Sequence, residues 1–136
     1  MNWRLQDNMK EKLIKLLENS YSPYSNFRVA SIVVMKDGAE FCGVNVENAS
    51  YDATICAERS AILSAISNGY KKQDFKYLYV MCDSDKIGMC CFDCRMVISE
   101  LFDKDLKIIA MNNKGDEIIH TVEELCPYPF GSENLK

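Results

Sequence analysis

The spacing of apolar positions changes several times along the chain, and each change marks an element. From Leu5 to Leu17 apolar residues fall at Leu5, Met9, Leu13, Leu16 and Leu17, the spacing of one helical face. Tyr21-Ser22-Pro23-Tyr24-Ser25-Asn26 ends that pattern, because proline cannot continue a helix and serine and asparagine favour turns. Phe27 to Met35 is apolar and β-branched, which predicts a strand. Lys36-Asp37-Gly38 predicts a hairpin turn, and Ala39 to Val46 the antiparallel return strand. Cys56 to Asn68 predicts a buried helix with Ile62, Ala65 and Ile66 on its inner face and Gly69 closing it. Phe75 to Cys82 predicts a third strand, and Cys91 to Phe102 a helix whose inner face is Val97, Ile98, Leu101 and Phe102. Leu106 to Met111 predicts a strand, Asn113-Lys114-Gly115-Asp116 a turn, and Glu117 to His120 a short last strand. Thr121-Val122-Glu123-Glu124 is a capping-box pattern opening a short final helix.

The order α-β-β-α-β-α-β-β predicts an α/β protein, a three-layer α/β/α sandwich with a mixed five-stranded sheet between helices. No repeat, low-complexity tract or linker interrupts it, so residues 1–136 read as a single domain. Apolar residues make up 48% of the chain, enough for one buried core. The net charge of -4 makes nucleic acid a poor partner, since phosphate binding draws on clustered lysine and arginine. No apolar run reaches the roughly 20 residues of a membrane span, and Met1 to Asp7 lacks a signal-peptide core. The expectation is a cytoplasmic protein with no membrane partner.

The seven cysteines are odd in number and clustered, which in a reducing compartment points to metal or catalysis. Cys56-Ala57-Glu58 and Cys91-Phe92-Asp93-Cys94 each open a predicted helix. Three thiolates are too few for a closed structural zinc site and match a catalytic one, with three protein ligands and a water. A glutamate two residues after the first cysteine can reach that water without ligating the metal and act as general acid and base. Three thiolates on one Zn²⁺ leave an excess negative charge that opposes ionisation of the water. Helix N-termini offset part of it, and Arg59 is placed to donate to the sulfurs and draw off more. Cys42, Cys82 and Cys126 sit in or beside apolar segments and read as buried structural thiols.

With these residues in place, the chain from Tyr21 to Leu135 resembles the small cytidine deaminase family. The resemblance rests on Tyr21 to Phe27, on Asn45-Val46-Glu47-Asn48-Ala49-Ser50-Tyr51 leading to Cys56-Ala57-Glu58-Arg59, on Cys91 to Leu101, and on Thr121 to Pro127 with Phe130. It implies hydrolytic deamination of cytidine and 2′-deoxycytidine, as in pyrimidine salvage, with one zinc ion per chain on Cys56, Cys91 and Cys94 and Glu58 as proton shuttle. It also implies that Asn45 and Glu47 bind the ribose 3′-hydroxyl, that Phe27 packs near the nucleoside, and that the Ala57 N–H holds the 2-oxo group. Ala49 and Tyr51 match a loop that serves a neighbouring subunit, and Phe130 an aromatic that stacks on the base from another subunit. A homotetramer with shared sites is the implied assembly.

Two plainer readings stay open: Asn45 and Glu47 as turn formers at a strand end, and Phe130 as a cap on the core. The second motif also departs from the family's usual Pro-Cys-Gly-Ala-Cys-Arg-Gln. Here Cys90 stands for the proline, Phe92 and Asp93 for the two small residues, and Met96 for the glutamine. Cys90 adds a thiol that could compete with Cys91 for the metal. The rival functions are a deaminase of another cytosine compound such as a nucleoside antibiotic, a polynucleotide deaminase, and a non-catalytic zinc-binding oligomer. Asn45 with Glu47 argues against the first, the acidic charge against the second and Glu58 against the third.

Overall fold

The fold is described from a computed structural model covering residues 3–136, with side chains from residue 8 onward. The inward role expected of Leu5 lies outside the described side chains. The elements run α1 (Trp3–Leu17), β1 (Val29–Met35), β2 (Glu40–Val44), α2 (Ala57–Ser67), β3 (Phe75–Cys82), α3 (Phe92–Leu101), β4 (Lys107–Met111), β5 (Glu117–Thr121) and α4 (Val122–Leu125). Short 3-10 turns lie at Tyr51–Ala53, Lys72–Asp74 and Ser132–Leu135.

The five strands make one mixed sheet in the order β2-β1-β3-β4-β5. β1 pairs antiparallel with both β2 and β3, β3 runs parallel to β4 through the α3 crossover, and β5 returns antiparallel on β4. Strand parity sorts the core into two layers. Ala30, Ile32, Tyr79, Met81, Ile109 and Met111 face α1, whose Met9, Leu13 and Leu17 are buried against them. Val33, Met35, Leu78, Val80, Ile108 and Ala110 face the opposite layer, with Ala61, Ile62 and Ala65 of α2 and Cys94 and Ile98 of α3. These central strands are covered on both faces, so their burial is continuous rather than alternating.

Two details differ from the sequence reading. Both strands of the first hairpin are shorter than the apolar run: Phe27 precedes β1, and Val46 pairs as an isolated bridge with Tyr21 and Ile55. On α2 the inner face is Ala57, Ala61, Ile62 and Ala65, while Ile66 turns outward. The reason is contact distance. A Cβ at Gly43 on β2 would lie 2.4 Å from the Ala57 carbonyl oxygen and 2.6 Å from the Ala61 nitrogen. The bare backbone of Gly43 and the alanine face of α2 let the helix lie directly on the strand, and a branched side chain has no room there.

Candidate active site

Two helix N-termini meet above the sheet. Cys56 is the N-cap of α2 and Cys91 the N-cap of α3, both with extended backbone. Their carbonyls begin the helices, accepting from the Ser60 and Arg95 N–H groups at 3.1 and 2.9 Å. Neither side chain caps its own helix, so both thiols are free to turn towards each other. Cys94, one turn into α3, shares the face of Cys91.

The Sγ atoms of Cys56, Cys91 and Cys94 all lie within 4.8 Å of one another, and Cys56 and Cys91 are 3.7 Å apart. Tetrahedral zinc with Zn–S bonds near 2.3 Å requires S···S edges of about 3.8 Å. The cluster therefore fits one zinc ion per chain, with the fourth position left to a non-protein ligand. The neighbouring thiols at 90 and 91 are cleanly divided: Cys90 is buried in the core and its sulfur is not part of the cluster. Cys91 is the one that faces the metal position.

Electrostatics favour a thiolate at Cys56. Hydrogen bonding from Cys94 pushes the Cys56 thiol down to about 5, with Arg59 and Cys91 adding to the effect. The same bond to Cys56, followed by burial, pushes Cys94 up. A metal that binds here must displace the thiol protons that remain. Arg59 Nη2 donates to Cys56 Sγ at 3.4 Å, as its place beside Glu58 predicts, and the thiolate raises the guanidinium pKa further.

Glu58 lies in the first turn of α2 with only 5% of its surface exposed. Burial is the main cause that raises its carboxyl pKa, and the Cys56 charge adds to it. A carboxyl group so raised gains and loses a proton more readily near neutral pH than an exposed one does. Glu58, Cys56, Ala57 and Cys91 open onto a cavity of about 230 Å³. Its other walls are Phe27 and Val29 at the head of β1, Asn45 and Thr54, Val80 and Cys82 at the end of β3, and Gly88 and Met89 of the following loop. Larger surface grooves exist, but among the described residues this cavity alone joins a titratable cluster to a buried carboxyl.

The remaining residues singled out from the sequence divide in two. Asn45 is buried and lines the cavity. Its Oδ1 accepts from Ser20 and from the Val29 N–H, and its Nδ2 donates to the Phe27 carbonyl. Glu47 holds the opening loop, accepting from the Tyr24 and Ser25 N–H groups at 3.0 Å and from the Ser25 hydroxyl, and it does not line the cavity. Ala49, Tyr51 and Phe130 do not reach it either. Tyr51 is 77% and Phe130 56% exposed, and Phe130 instead borders a groove of about 340 Å³ with Phe92, Arg95 and Met96. Phe130 belongs to neither core cluster. Phe92 finds its room outward, with the Arg95 guanidinium 4.5 Å from its ring centre. The three other cysteines do not behave alike. Cys42 lies on the α1 face of the sheet but is exposed, because β2 is the edge strand, and Cys126 is half-buried with its thiol on the Arg95 carbonyl. Cys82 is buried but forms part of the cavity wall.

Val29, Thr54, Val80, Cys82, Gly88 and Met89 were not expected in the site. One signal points to some of them: sites in α/β sheets gather beyond the carboxyl ends of strands, and Cys82 ends β3 with Gly88 and Met89 in the loop that follows. That loop is held by Arg28, whose Nη2 reaches Asp83 Oδ2 at 2.6 Å. A Cβ at Gly88 would lie 2.9 Å from Cys82 Sγ, so a larger residue there would make that thiol move.

Comparison with known proteins agrees with this geometry. The family described as "Cytidine and deoxycytidylate deaminase zinc-binding region" matches residues 4–110. The chain is 39% identical over 125 residues to a cytidine deaminase of Halalkalibacterium halodurans, covering 92% of this chain and 93% of that protein. It is 39% identical over 129 residues to the cytidine deaminase of Sporosarcina psychrophila, covering 92% and 93%. The crystal structure of cytidine deaminase from Burkholderia pseudomallei superposes with a TM-score of 0.82 at 37% identity, covering 88% of this chain and 98% of that one.

Proposed function

The chain belongs to the cytidine and deoxycytidylate deaminase family, and from that premise we propose that it is a zinc-dependent hydrolase that converts cytidine and 2′-deoxycytidine to uridine and 2′-deoxyuridine with release of ammonia. The observation that carries this reading is the opening of a three-thiol metal cluster and a buried glutamate onto one cavity.

Cys56, Cys91 and Cys94 hold the metal, and bound zinc supplies a water whose pKa is lowered towards about 7. Arg59 draws charge off the Cys56 sulfur and keeps that water acidic against three thiolates. Glu58 takes the proton of the water and carries it to N3 of the pyrimidine. It then takes the second proton, from the hydroxyl now on C4, and delivers it to the C4 amino group, which leaves as ammonia while that oxygen stays on C4 as the new carbonyl. The Ala57 N–H lies in the first turn of α2, where it has no partner within the helix, and donates to the 2-oxo group.

Phe27 packs on the nucleoside at the mouth. Asn45 and Glu47 take the 3′-hydroxyl with the capacity they have left. Asn45 has one of its two Nδ2–H donors free after binding the Phe27 carbonyl. The Glu47 carboxylate keeps an acceptor site beyond those used by Tyr24 and Ser25. Their hold on the opening loop and their hold on the sugar are compatible. Ala49, Tyr51 and Phe130 serve the site of a neighbouring subunit in a homotetramer, which accounts for their exposure in the single chain. The free cysteines suit the reducing cytoplasm. Among the described residues no helix is long and apolar enough to cross a membrane, and the net charge of -4 disfavours nucleic acid.

The test is a cytidine absorbance assay on purified protein with zinc quantified per chain. Wild type turns cytidine over with one zinc bound. Glu58→Ala keeps the zinc and loses about 10²- to 10⁴-fold in kcat; normal turnover in that variant would refute the mechanism.

A further inference from the structure

We propose that Asp83 is a positioning residue for nucleoside binding: its carboxylate joins Arg28 to Asn113 and so fixes Phe27 and the Gly88–Met89 segment as walls of one cavity. This rests on the reading above, in which that cavity takes the nucleoside.

Two cavity walls meet where β1 begins and β3 ends. Val29 and Cys82 are antiparallel partners in the sheet and both line the cavity, as do Phe27 before them and Gly88 and Met89 after. One residue beyond that pair, the Asp83 N–H donates to the Arg28 carbonyl at 2.9 Å. Alternation along the strands turns Phe27, Val29 and Cys82 to the cavity, and Arg28 and Asp83 to its back. There Arg28 donates through Nε and Nη2 to Asp83 Oδ2, at 2.9 and 2.6 Å. Side-chain and backbone bonds thus join the same two residues directly behind the wall.

The other carboxylate oxygen reaches a third segment. Asn113 Nδ2, in the turn between β4 and β5, donates to Asp83 Oδ1 at 3.1 Å. The same turn holds the next two residues of the loop. The Asn113 N–H donates to the Ser84 carbonyl at 3.1 Å, and Asn112 Nδ2 to the Asp85 carbonyl at 2.9 Å. Asn112 is a firm base, being 3% exposed and accepting at Oδ1 from the Lys114 and Asp116 N–H groups. The segment from 83 to 90 has no helix or strand of its own. It is fixed at its start by these bonds and near its end by the Cys82 thiol on the Gly88 carbonyl at 3.8 Å. The Asn113 amide and the Arg28 guanidinium hold the Asp83 carboxyl below the usual carboxylate range, so it is charged at neutral pH and binds both at once. The three clustered thiols and Glu58 stand apart from this junction, at the starts of α2 and α3. Loosening it should weaken substrate binding and leave the chemical step in place.

Zinc-loaded wild type, Asp83→Ala, Arg28→Met, Arg28→Lys and the Asp83→Ala/Arg28→Met double variant provide the test. They are read by zinc per chain, kcat and KM on cytidine, and amide hydrogen exchange over residues 84–90. Asp83→Ala is expected to keep one zinc and its kcat while KM rises about 2- to 5-fold, the span set by loss of a partly exposed ion pair. Exchange in 84–90 quickens in the same variant. Arg28→Met raises KM by less, since the Asn113 bond survives, and Arg28→Lys, which keeps a donor, recovers part of that loss. The double variant matches Asp83→Ala, because the two residues act through one contact. Unchanged KM in Asp83→Ala overturns the proposal, as does a fall in kcat with KM kept, or a double variant whose rise in KM is the product of the two single rises. Unchanged exchange in 84–90 overturns it too. If Asp83→Ala fails to fold, Arg28→Met and Arg28→Lys decide by the same KM and exchange readings. A wild-type protein that binds zinc but leaves cytidine unchanged overturns the functional reading instead, and hydrogen exchange in the variants then judges the junction alone.

Discussion

The metal end of the cavity and its outer rim are built on different principles. At the metal end, the groups are held by packed elements of the chain. Cys56 and Cys91 stand at the N-caps of two helices, Cys94 is fully buried, Arg59 bonds to a sulfur, and Glu58 is buried in the first turn of α2. At the rim that the proposed assembly would supply, Ala49 and Tyr51 lie in an exposed loop outside the cavity, where Tyr51 makes an edge contact with Tyr24 at 6.3 Å. Phe130 stands on the exposed C-terminal segment. Chemistry that needs fixed distances is placed where helices pack on a sheet. In the proposed assembly, enclosure of the substrate falls to residues that the single chain leaves exposed.

Removing a ligand tests the metal end most severely. Cys94→Ala should reduce zinc from one per chain to near zero and turnover to background, as measured by metal quantification and the cytidine assay. Normal zinc content would mean that another thiol, such as Cys90, replaces it. Next in size is Gly43→Ala, whose added Cβ meets the Ala57 carbonyl and pushes α2 off β2. It should cost about 1–3 kcal/mol in urea unfolding and speed the loss of zinc to a chelator. Unchanged zinc retention would show that the metal end does not depend on the seating of the helix.

The rim should respond in KM. Phe130→Ala should raise KM by up to about tenfold, the worth of one aromatic contact, with unfolding unchanged. Mixing that variant with Glu58→Ala after dissociation and reassembly should restore about a quarter of the sites, since in a random mixture half the sites carry each intact residue. Mixtures with no recovered activity would place both residues in the same chain's site and abolish the contrast. The smallest effect concerns thiol chemistry. In chelator-treated protein, alkylation of Cys56, whose pKa is lowered to about 5, should hardly change between pH 6 and 8, because it is already thiolate throughout. Alkylation of exposed Cys42, whose pKa is raised by burial and by Glu40, should climb about tenfold per pH unit over the same range.

Much of this molecule follows from local pattern. Periodicity determined five strands and the helices between them, Asp37-Gly38 the hairpin, and Thr121 with Glu124 the capping box. Two Cys motifs at helix starts determined the metal chemistry, because ligand spacing and helix N-termini are properties of a few consecutive residues. Local pattern did not determine direction. Ile66 was expected inside and is outside, because Gly43, on another element, decides how α2 rolls onto the sheet. Cys42 was expected to be buried and is exposed, because only strand order makes β2 an edge. Cys82 and Met89 became cavity walls through the crossover that brings the end of β3 beside α2. The choice between Cys90 and Cys91 also belonged to tertiary structure. Adjacent identical thiols are indistinguishable in sequence, and they part only when α3 docks, turning one sulfur to the metal position and the other into the core.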